Sequence, residues 1–306
     1  LCQGSALVAM GTDTGGSVRI PASVTGNVGL KVSIDRWSVK GIVPLSHSFD
    51  TPGPLTRNVT DAIVAFNAID PAGKEIHATL ECFEQSKLSD FNFAICDDHF
   101  WDRCGPDIAT AINDAIAELS AAGARIRRIS FPEATMARES ALMGGIFGVE
   151  GQAYIEEYYP DRLNTLDANV ADRLADSQDT SAIQYLKAIR RLSKLGDIAN
   201  EKFSYIDAII TPTLPIAPPI VSEVADKNTY KSYLGHMTQN THPANLLKLC
   251  AITLPVALDR LGLPVGLQLI SGRGKEEKLL AMALSCEKVF GTALERLGYP
   301  PRCKNE

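Results

Sequence analysis

The residues with the clearest capacity for chemistry lie between Gly11 and Ala22, in the run Gly-Thr-Asp-Thr-Gly-Gly-Ser-Val-Arg-Ile-Pro-Ala. Gly15 and Gly16 lack side chains, so consecutive backbone N–H groups are left uncovered beside the hydroxyl of Ser17. Fixed N–H donors of this kind stabilise the negative oxygen that forms when a nucleophile attacks an amide carbonyl. The run therefore indicates acyl transfer, in which Ser17 attacks and its neighbours hold the developing charge.

The same run has two plainer interpretations. A Gly-Gly-Ser sequence also occurs in simple turns and in loops that hold a phosphate at the start of a helix. The sequence lacks the nucleotide patterns Gly-x-x-x-x-Gly-Lys-Ser and Gly-x-Gly-x-x-Gly, and it lacks the Gly-x-Ser-x-Gly elbow of α/β hydrolases. Spacing alone leaves the three interpretations open.

A reactive serine needs a base beside it, because a neutral hydroxyl is a weak nucleophile. His47 and Asp50 follow the run closely and permit a Ser-His-Asp arrangement, but geometry defines such a triad, and a packing role for His47 is favoured. The other histidines are His77, His99, His236 and His242, and they show no metal-ligand spacing. Acyl transfer through a serine implies no metal or organic cofactor.

The elements that must position these residues change in character along the chain. Residues 11–22 contain three glycines and a proline and are predicted to form a structured loop, not a helix or strand. Residues 41–54 are also rich in Gly and Pro and are expected to be turns. From Phe91 onward strands and helices alternate, which is typical of an α/β sheet.

The individual elements follow from apolar periodicity and from turn residues. Strands are predicted at 93–96, 125–130, 207–211, 251–258 and 265–270, the last two joined by a short connection. Helices are predicted at 60–69, from a cap at Asp107 to Gly123, and at 276–290, while 152–205 is mostly helical and 220–240 is a loop. Tyr158, Tyr159 and the apolar stripe at 183–195 are expected to be core or helix-packing residues.

The composition of the chain disfavours several classes of function. The chain has 306 residues, a formal net charge of -6 and seven scattered cysteines without a Cys-x-x-Cys pair. The acidic balance disfavours a nucleic-acid partner, and Arg125, Arg127 and Arg128 are interpreted as the solvent face of a strand. Free thiols and the lack of a membrane-length apolar run predict a cytoplasmic location without membrane attachment. Because the chain starts at Leu1 within an apolar stretch, we expect an upstream part to be missing.

Residues 11–22 resemble the nucleophile segment of the amidase signature family. The resemblance continues through further segments in the same order: Gly26-Asn-Val-Gly-Leu-Lys31, Gly41-Ile-Val-Pro-Leu45, Ser48-Phe-Asp-Thr-Pro-Gly-Pro54, Ile209-Ile-Thr-Pro-Thr213 and Leu263-Pro-Val-Gly-Leu-Gln-Leu-Ile270. It extends over nearly the whole chain. It implies an α/β fold with a mixed β-sheet flanked by helices, as a single domain over 1–306 in which 1–70 carries the nucleophile segment and 71–306 the rest.

The resemblance also implies roles for individual residues. Ser17 is the acyl-enzyme nucleophile, and the backbone amides from Thr14 through Gly15 and Gly16 to Ser17 form the oxyanion hole. Asp13 and Arg19 match flanking positions, where an ion pair would hold the loop in shape. Lys31 matches a family position but is not the catalytic lysine. The family's Ser-Ser-Lys triad places the lysine and the bridging serine upstream of the nucleophile, and neither position exists in this sequence.

The resemblance predicts an enzyme that hydrolyses a small-molecule carboxamide, by acyl transfer to water. One alternative is an amidotransferase component, which would require partner subunits. Another is a non-catalytic fragment, inactive and with exposed apolar surface where the upstream part would pack. A homodimer is an open alternative for the assembly.

Overall fold

The computed structural model describes residues 1–73 and 75–300, and its centre is an eight-stranded sheet. The strands are β1 (Val8–Asp13), β2 (Val28–Lys31), β3 (Thr51–Thr56), β4 (Asn92–Ile95), β5 (Arg125–Arg128), β6 (Ala208–Pro212), β7 (Cys250–Leu258) and β8 (Pro264–Ser271). Their order across the sheet is β1-β3-β2-β7-β8-β6-β4-β5. β4 runs parallel to β5 and β6, whereas the other neighbours are antiparallel, so the sheet is mixed.

Helices cover both faces of this sheet. They are α1 (Arg19–Val24), α2 (Val59–Ile69), α3 (Ile76–Glu84), α4 (Pro106–Ala121), α5 (Glu133–Met143), α6 (Ile146–Tyr158), α7 (Ala168–Ala175), α8 (Ala182–Lys202), α9 (Lys227–Met237), α10 (His242–Leu246), α11 (Glu276–Phe290) and α12 (Ala293–Leu297). Short 3-10 helices lie at Leu88–Asp90, His99–Trp101, Pro160–Thr165 and Val221–Val224. No helix in the described ranges is both long and apolar enough to cross a membrane.

Alternation along the strands builds two cores. Successive strand residues point to opposite faces, and Ile209 and Ile210 accordingly belong to different apolar clusters, as do Ala251 and Ile252. One cluster includes residues of α2, α4 and α11, and the other includes residues of α5, α8 and α10. The architecture is therefore an α/β fold of three layers, and the predicted mixed sheet flanked by helices is confirmed.

Most predicted elements are confirmed with small shifts at their ends. α2, β4, β6, α11 and the β7–β8 hairpin lie where the sequence placed them, and residues 152–205 are mostly helical. α4 begins after Gly105, so Asp107 lies in its first turn and does not cap it. The three arginines of β5 are exposed, as expected for a solvent-facing strand at the edge of the sheet.

The prediction of an irregular chain at 11–22 and at 41–54 was partly wrong. β1 continues through Gly11 to Asp13, and α1 begins at Arg19, which leaves only a short connection between them. β3 contains Pro52 and Pro54, residues that cannot donate to a ladder. β2 pairs only with the last two residues of β3, so both prolines lie where β1 is the one paired neighbour.

One further expectation was wrong, and another holds only in part. Residues 220–240 contain a 3-10 helix and α9, whose start is capped by Asp226, the acceptor of N–H groups from Asn228 and Thr229. The aromatic pair Tyr158 and Tyr159 is exposed, and so are Ile183 and Leu186 of the predicted stripe, although Leu192 and Leu195 are buried. Apolar periodicity correctly predicted the helix that is α8, but it did not predict which turns of that helix are buried.

Candidate functional site

Ser17 lies in the short connection between β1 and α1. Its neighbours Asp13, Thr14, Gly16 and Val18 are buried, whereas Ser17 itself is exposed. Its hydroxyl makes no hydrogen bond with the described residues. The connection thus presents the Ser17 hydroxyl to solvent, while its other residues are buried or half-buried.

A buried ion pair lies beneath this connection. The Asp13 carboxylate accepts from Arg19 Nε and Nη2 at 2.9 Å each, in a bidentate pairing. The same carboxylate accepts the backbone N–H of Gly16 at 2.8 Å and the side-chain amide of Asn245 at 2.8 Å. Asp13 therefore ties the end of β1 to the start of α1 across the serine.

Other elements complete the hydrogen bonding of Arg19. Nη1 donates to the carbonyl of Thr241 at 3.0 Å and to Gln268 Oε1 of β8 at 2.6 Å, and Nη2 donates to Asn245 Oδ1 at 2.6 Å. Burial alone would raise the pKa of Asp13, but the guanidinium of Arg19 lowers the pKa to about 2, helped by Lys31 and Asn245. The pair is consequently charged at neutral pH.

The hydrogen bond from the Gly16 N–H to Asp13 determines which backbone N–H groups next to Ser17 are left without an acceptor. Because the Gly16 N–H already has a carboxylate partner, it is not free for another anion in this arrangement. Within the described residues the N–H groups of Gly15 and Ser17 have no acceptor. These two amides remain as the donors next to the serine hydroxyl.

Positions 15 and 16 must be glycine, because α10 and the residue before it leave no space for a side chain there. A Cβ on Gly15 would lie 2.5 Å from His242 Nε2. Gly16 has φ +129°, and a Cβ there would collide with Thr241, whose hydroxyl donates to the Gly15 carbonyl at 2.6 Å. The imidazole of His242 therefore lies directly on the connection between β1 and α1.

The structure does not assemble the alternative Ser-His-Asp arrangement. Asp50 accepts the hydroxyl of Thr14 and the backbone N–H groups of Leu45 and Ser46. His47 is exposed and contacts the ring of Tyr154, with a centroid separation of 5.9 Å. Asp50 thus braces Thr14 instead of orienting a histidine.

Lys31 is fully buried at the end of β2 and is also not a partner of Ser17. Its Nζ donates to the carbonyls of Val32 and Leu249 at 2.9 Å each. Burial lowers the pKa of Lys31 to about 8, although Asp13 opposes that shift. Its contacts join β2 to the chain before β7.

Sequence reasoning missed four residues that shape the site: Thr241, His242, Asn245 and Gln268. Gln268 had a usable signal, because it is a polar residue inside the apolar run of β8. His242 was considered only as a metal ligand, yet burial and the nearby Arg138, Arg19 and Arg173 lower the pKa of His242 to about 3. It is a neutral imidazole at physiological pH.

The fold and this site define an α/β protein of the type seen in a crystal structure of an amidase. That structure superposes with a TM-score of 0.79 at 28% sequence identity, over 93% of this chain and 63% of the solved one. The family model described as Amidase matches residues 2–280. The chain belongs to the amidase family.

Two curated relatives show the range of that family. A 2-amino-5-chloromuconic acid deaminase of Comamonas testosteroni is 39% identical, over 98% of this chain and 64% of the relative. A glutamyl-tRNA(Gln) amidotransferase component of Gloeothece citriformis (strain PCC 7424) is 30% identical, over 92% of this chain and 64% of the relative. The chain thus spans slightly less than two-thirds of the length of these relatives.

Proposed function

We propose that Ser17 is the nucleophile of an amidase that hydrolyses the C–N bond of a small carboxamide. Its Oγ attacks the carbonyl carbon, the C–N bond breaks, and ammonia or an amine leaves with a proton. Water then hydrolyses the seryl ester to release the carboxylic acid. The observation that carries this proposal is an exposed Ser17 on a connection whose backbone is held by the buried Asp13–Arg19 pair.

The backbone donors beside Ser17 supply the electrostatic part of this mechanism. The tetrahedral species carries negative charge on the former carbonyl oxygen, and fixed N–H groups stabilise it without reorganising. The N–H groups of Gly15 and Ser17 suit this role, because Gly16 donates to Asp13. Asp13 and Arg19 act as positioning residues, and Thr14 is braced by Asp50.

The base that activates Ser17 is proposed to be the lysine and bridging serine of the family's triad, both outside residues 1–306. His242 does not suit this role, because a group with a pKa of about 3 is a weak proton acceptor at neutral pH. Lys31 does not suit it either, since its Nζ donates to the backbone carbonyls of Val32 and Leu249 and not to Ser17.

A plain hydrolase is favoured over an amidotransferase component. The relative named as a deaminase is 39% identical, whereas the amidotransferase relative is 30% identical. If the chain were part of an amidotransferase, ammonia release from glutamine would rise sharply only with partner subunits present. Glutamine hydrolysis with and without added partners distinguishes the two functions.

A cytoplasmic location completes the proposal. No disulfide joins the six cysteines in the described part of the chain, and Cys303 lies outside it. This usage is typical of a reducing compartment.

The test is Ser17→Ala in the full-length protein, with Ser38→Ala as the matched control at another exposed serine. Loss of the nucleophile should lower kcat roughly 10⁴-fold or more without unfolding the protein. A serine-directed acylating probe should label Ser17 in the wild type, as located by peptide mass spectrometry. Labelling of another residue, or normal turnover by Ser17→Ala, would refute the assignment.

A further inference from the structure

Arg138 has a buried N–H donor that finds no hydrogen-bond acceptor in the described part of the chain. It lies on α5, which packs against α10. Its Nη2 donates to the carbonyl of Gly235 on α9, but its Nη1 is shielded from solvent and has no hydrogen-bond partner among the described residues. A buried guanidinium nitrogen without an acceptor is costly, so this donor calls for a ligand.

Arg138 also lacks a counter-charge. None of the ion pairs among residues 1–73 and 75–300 includes it. Burial, and then the positive charge of Arg103, lower the pKa of Arg138, and no carboxylate opposes them. An arginine nevertheless stays protonated, so the charge is present and uncompensated.

A second arginine also lacks an ion pair in the described part of the chain. Arg173 of α7 has no ion pair within the described ranges, although two acids share or adjoin its helix. Those acids, Asp172 and Asp176, pair with Lys227 and Lys231 of α9 at 2.7 and 2.5 Å. The carboxylates nearest to Arg173 in sequence are therefore engaged elsewhere.

His242 links both arginines to Ser17. Its ring lies on Gly15 and contacts Phe147, with a centroid separation of 5.4 Å. Arg138 and Arg173 both act electrostatically on this ring, and the backbone of Arg173 lies against Gly148, next to Phe147. Two cations that have no ion pair among the described residues thus act on the imidazole that lies on the β1–α1 connection.

We propose that Arg138, aided by the positive charge of Arg173, binds a carboxylate of the substrate, so that the substrate is an amide that also carries a free carboxylic acid. The proposal rests on the proposed function and names its substrate class. Carboxylates match the planar fork of a guanidinium, which can donate two parallel hydrogen bonds to them. The unused Nη1 of Arg138 supplies such a donor.

The experiment compares matched substrates with the full-length protein. Malonamate, succinamate and glutaramate each carry an amide and a carboxylate, and propionamide, butyramide and valeramide are their neutral counterparts. Arg138→Gln should lower kcat/KM for the preferred acid roughly 10- to 100-fold and change its neutral counterpart little. Arg138→Lys should lie between, since it keeps the charge but loses the fork. Arg125→Gln, at an exposed arginine of β5, is the control and should match the wild type.

Calorimetric binding of malonate, succinate and glutarate to the Ser17→Ala protein separates this proposal from the proposed function. Binding that is lost with the added Arg138→Gln change supports the carboxylate site even if Ser17→Ala retains full turnover. The proposal is overturned if Arg138→Gln lowers kcat/KM equally for acid and neutral amides. It is also overturned if no diacid binds and no acid is preferred, or if binding survives the substitution.

Discussion

Two arginines in this protein, Arg19 fully buried and Arg138 half-buried, are used in opposite ways. Arg19 carries five N–H donors, and it makes hydrogen bonds to Asp13, Thr241, Gln268 and Asn245. Arg138 makes one, to a backbone carbonyl, and leaves Nη1 without a partner in the described part of the chain. A fully satisfied cation holds the backbone under Ser17 in place, whereas an unsatisfied cation is available to a ligand.

The largest effect that tests this contrast is the loss of the Arg19 pair. Arg19→Met leaves the Asp13 carboxylate buried without its cation, which should destabilise the protein by about 3–5 kcal/mol. Chemical unfolding of the variant and the wild type measures the difference. Arg125→Met, at an exposed position on β5, should change the unfolding free energy by less than about 0.5 kcal/mol.

A double variant shows whether the missing counter-charge of Asp13 is the cause of the stability lost in Arg19→Met. Asp13→Asn combined with Arg19→Met removes both charges and should be more stable than Arg19→Met alone. If Arg19→Met unfolds with the wild-type midpoint, or if the double variant is less stable than the single one, Arg19 does not hold the connection as argued.

The sequence was sufficient to predict a role for Arg19 but not for Arg138. Asp13 and Arg19 are six positions apart and flank Ser17, so a local motif was sufficient to find them. Asn245 lies 226 positions from Arg19 and has no pattern of its own, since only the fold of β7, β8 and α10 brings it there. Arg138 was overlooked for the same reason, because an unpaired guanidinium is a property of its surroundings.

The fold shows the same division between local and non-local information. β4 and α11 were found because apolar runs and turn residues mark them locally. β3 was not found, because its prolines are tolerated only where β2 stops pairing, which depends on residues distant in the chain. α9 was missed although Asp226 is a local cap, because the segment has few apolar positions to show periodicity.

A second, intermediate effect is the pH dependence of the Asp13–Arg19 pair. The pKa of Asp13 is lowered from 3.8 to about 2, so the pair stabilises the fold above pH 3.8 and this contribution is lost as pH falls towards 2. The lost stability should be about 2.5 kcal/mol, at about 1.36 kcal/mol per unit. The measurement is the unfolding free energy of the wild type minus that of Asp13→Asn across this range, in which the difference should shrink. A difference that stays constant with pH would show that Asp13 is not held as an anion.

The smallest expected effect concerns the stability of Arg138 variants and tests the other half of the contrast. Because Arg138 has no counter-charge among the described residues, Arg138→Met removes an uncompensated cation together with one hydrogen bond to Gly235. These changes oppose each other, so the unfolding free energy should stay within about 1 kcal/mol of the wild type, or increase. Parallel denaturation of Arg138→Met and Arg19→Met gives the comparison directly.

If Arg138→Met loses as much stability as Arg19→Met, then Arg138 is as much a structural residue as Arg19, and its free donor would no longer argue for a ligand. If it loses none, the fold tolerates the removal of Arg138, and the retention of a half-buried cation with no ion pair among the described residues is explained by what it binds.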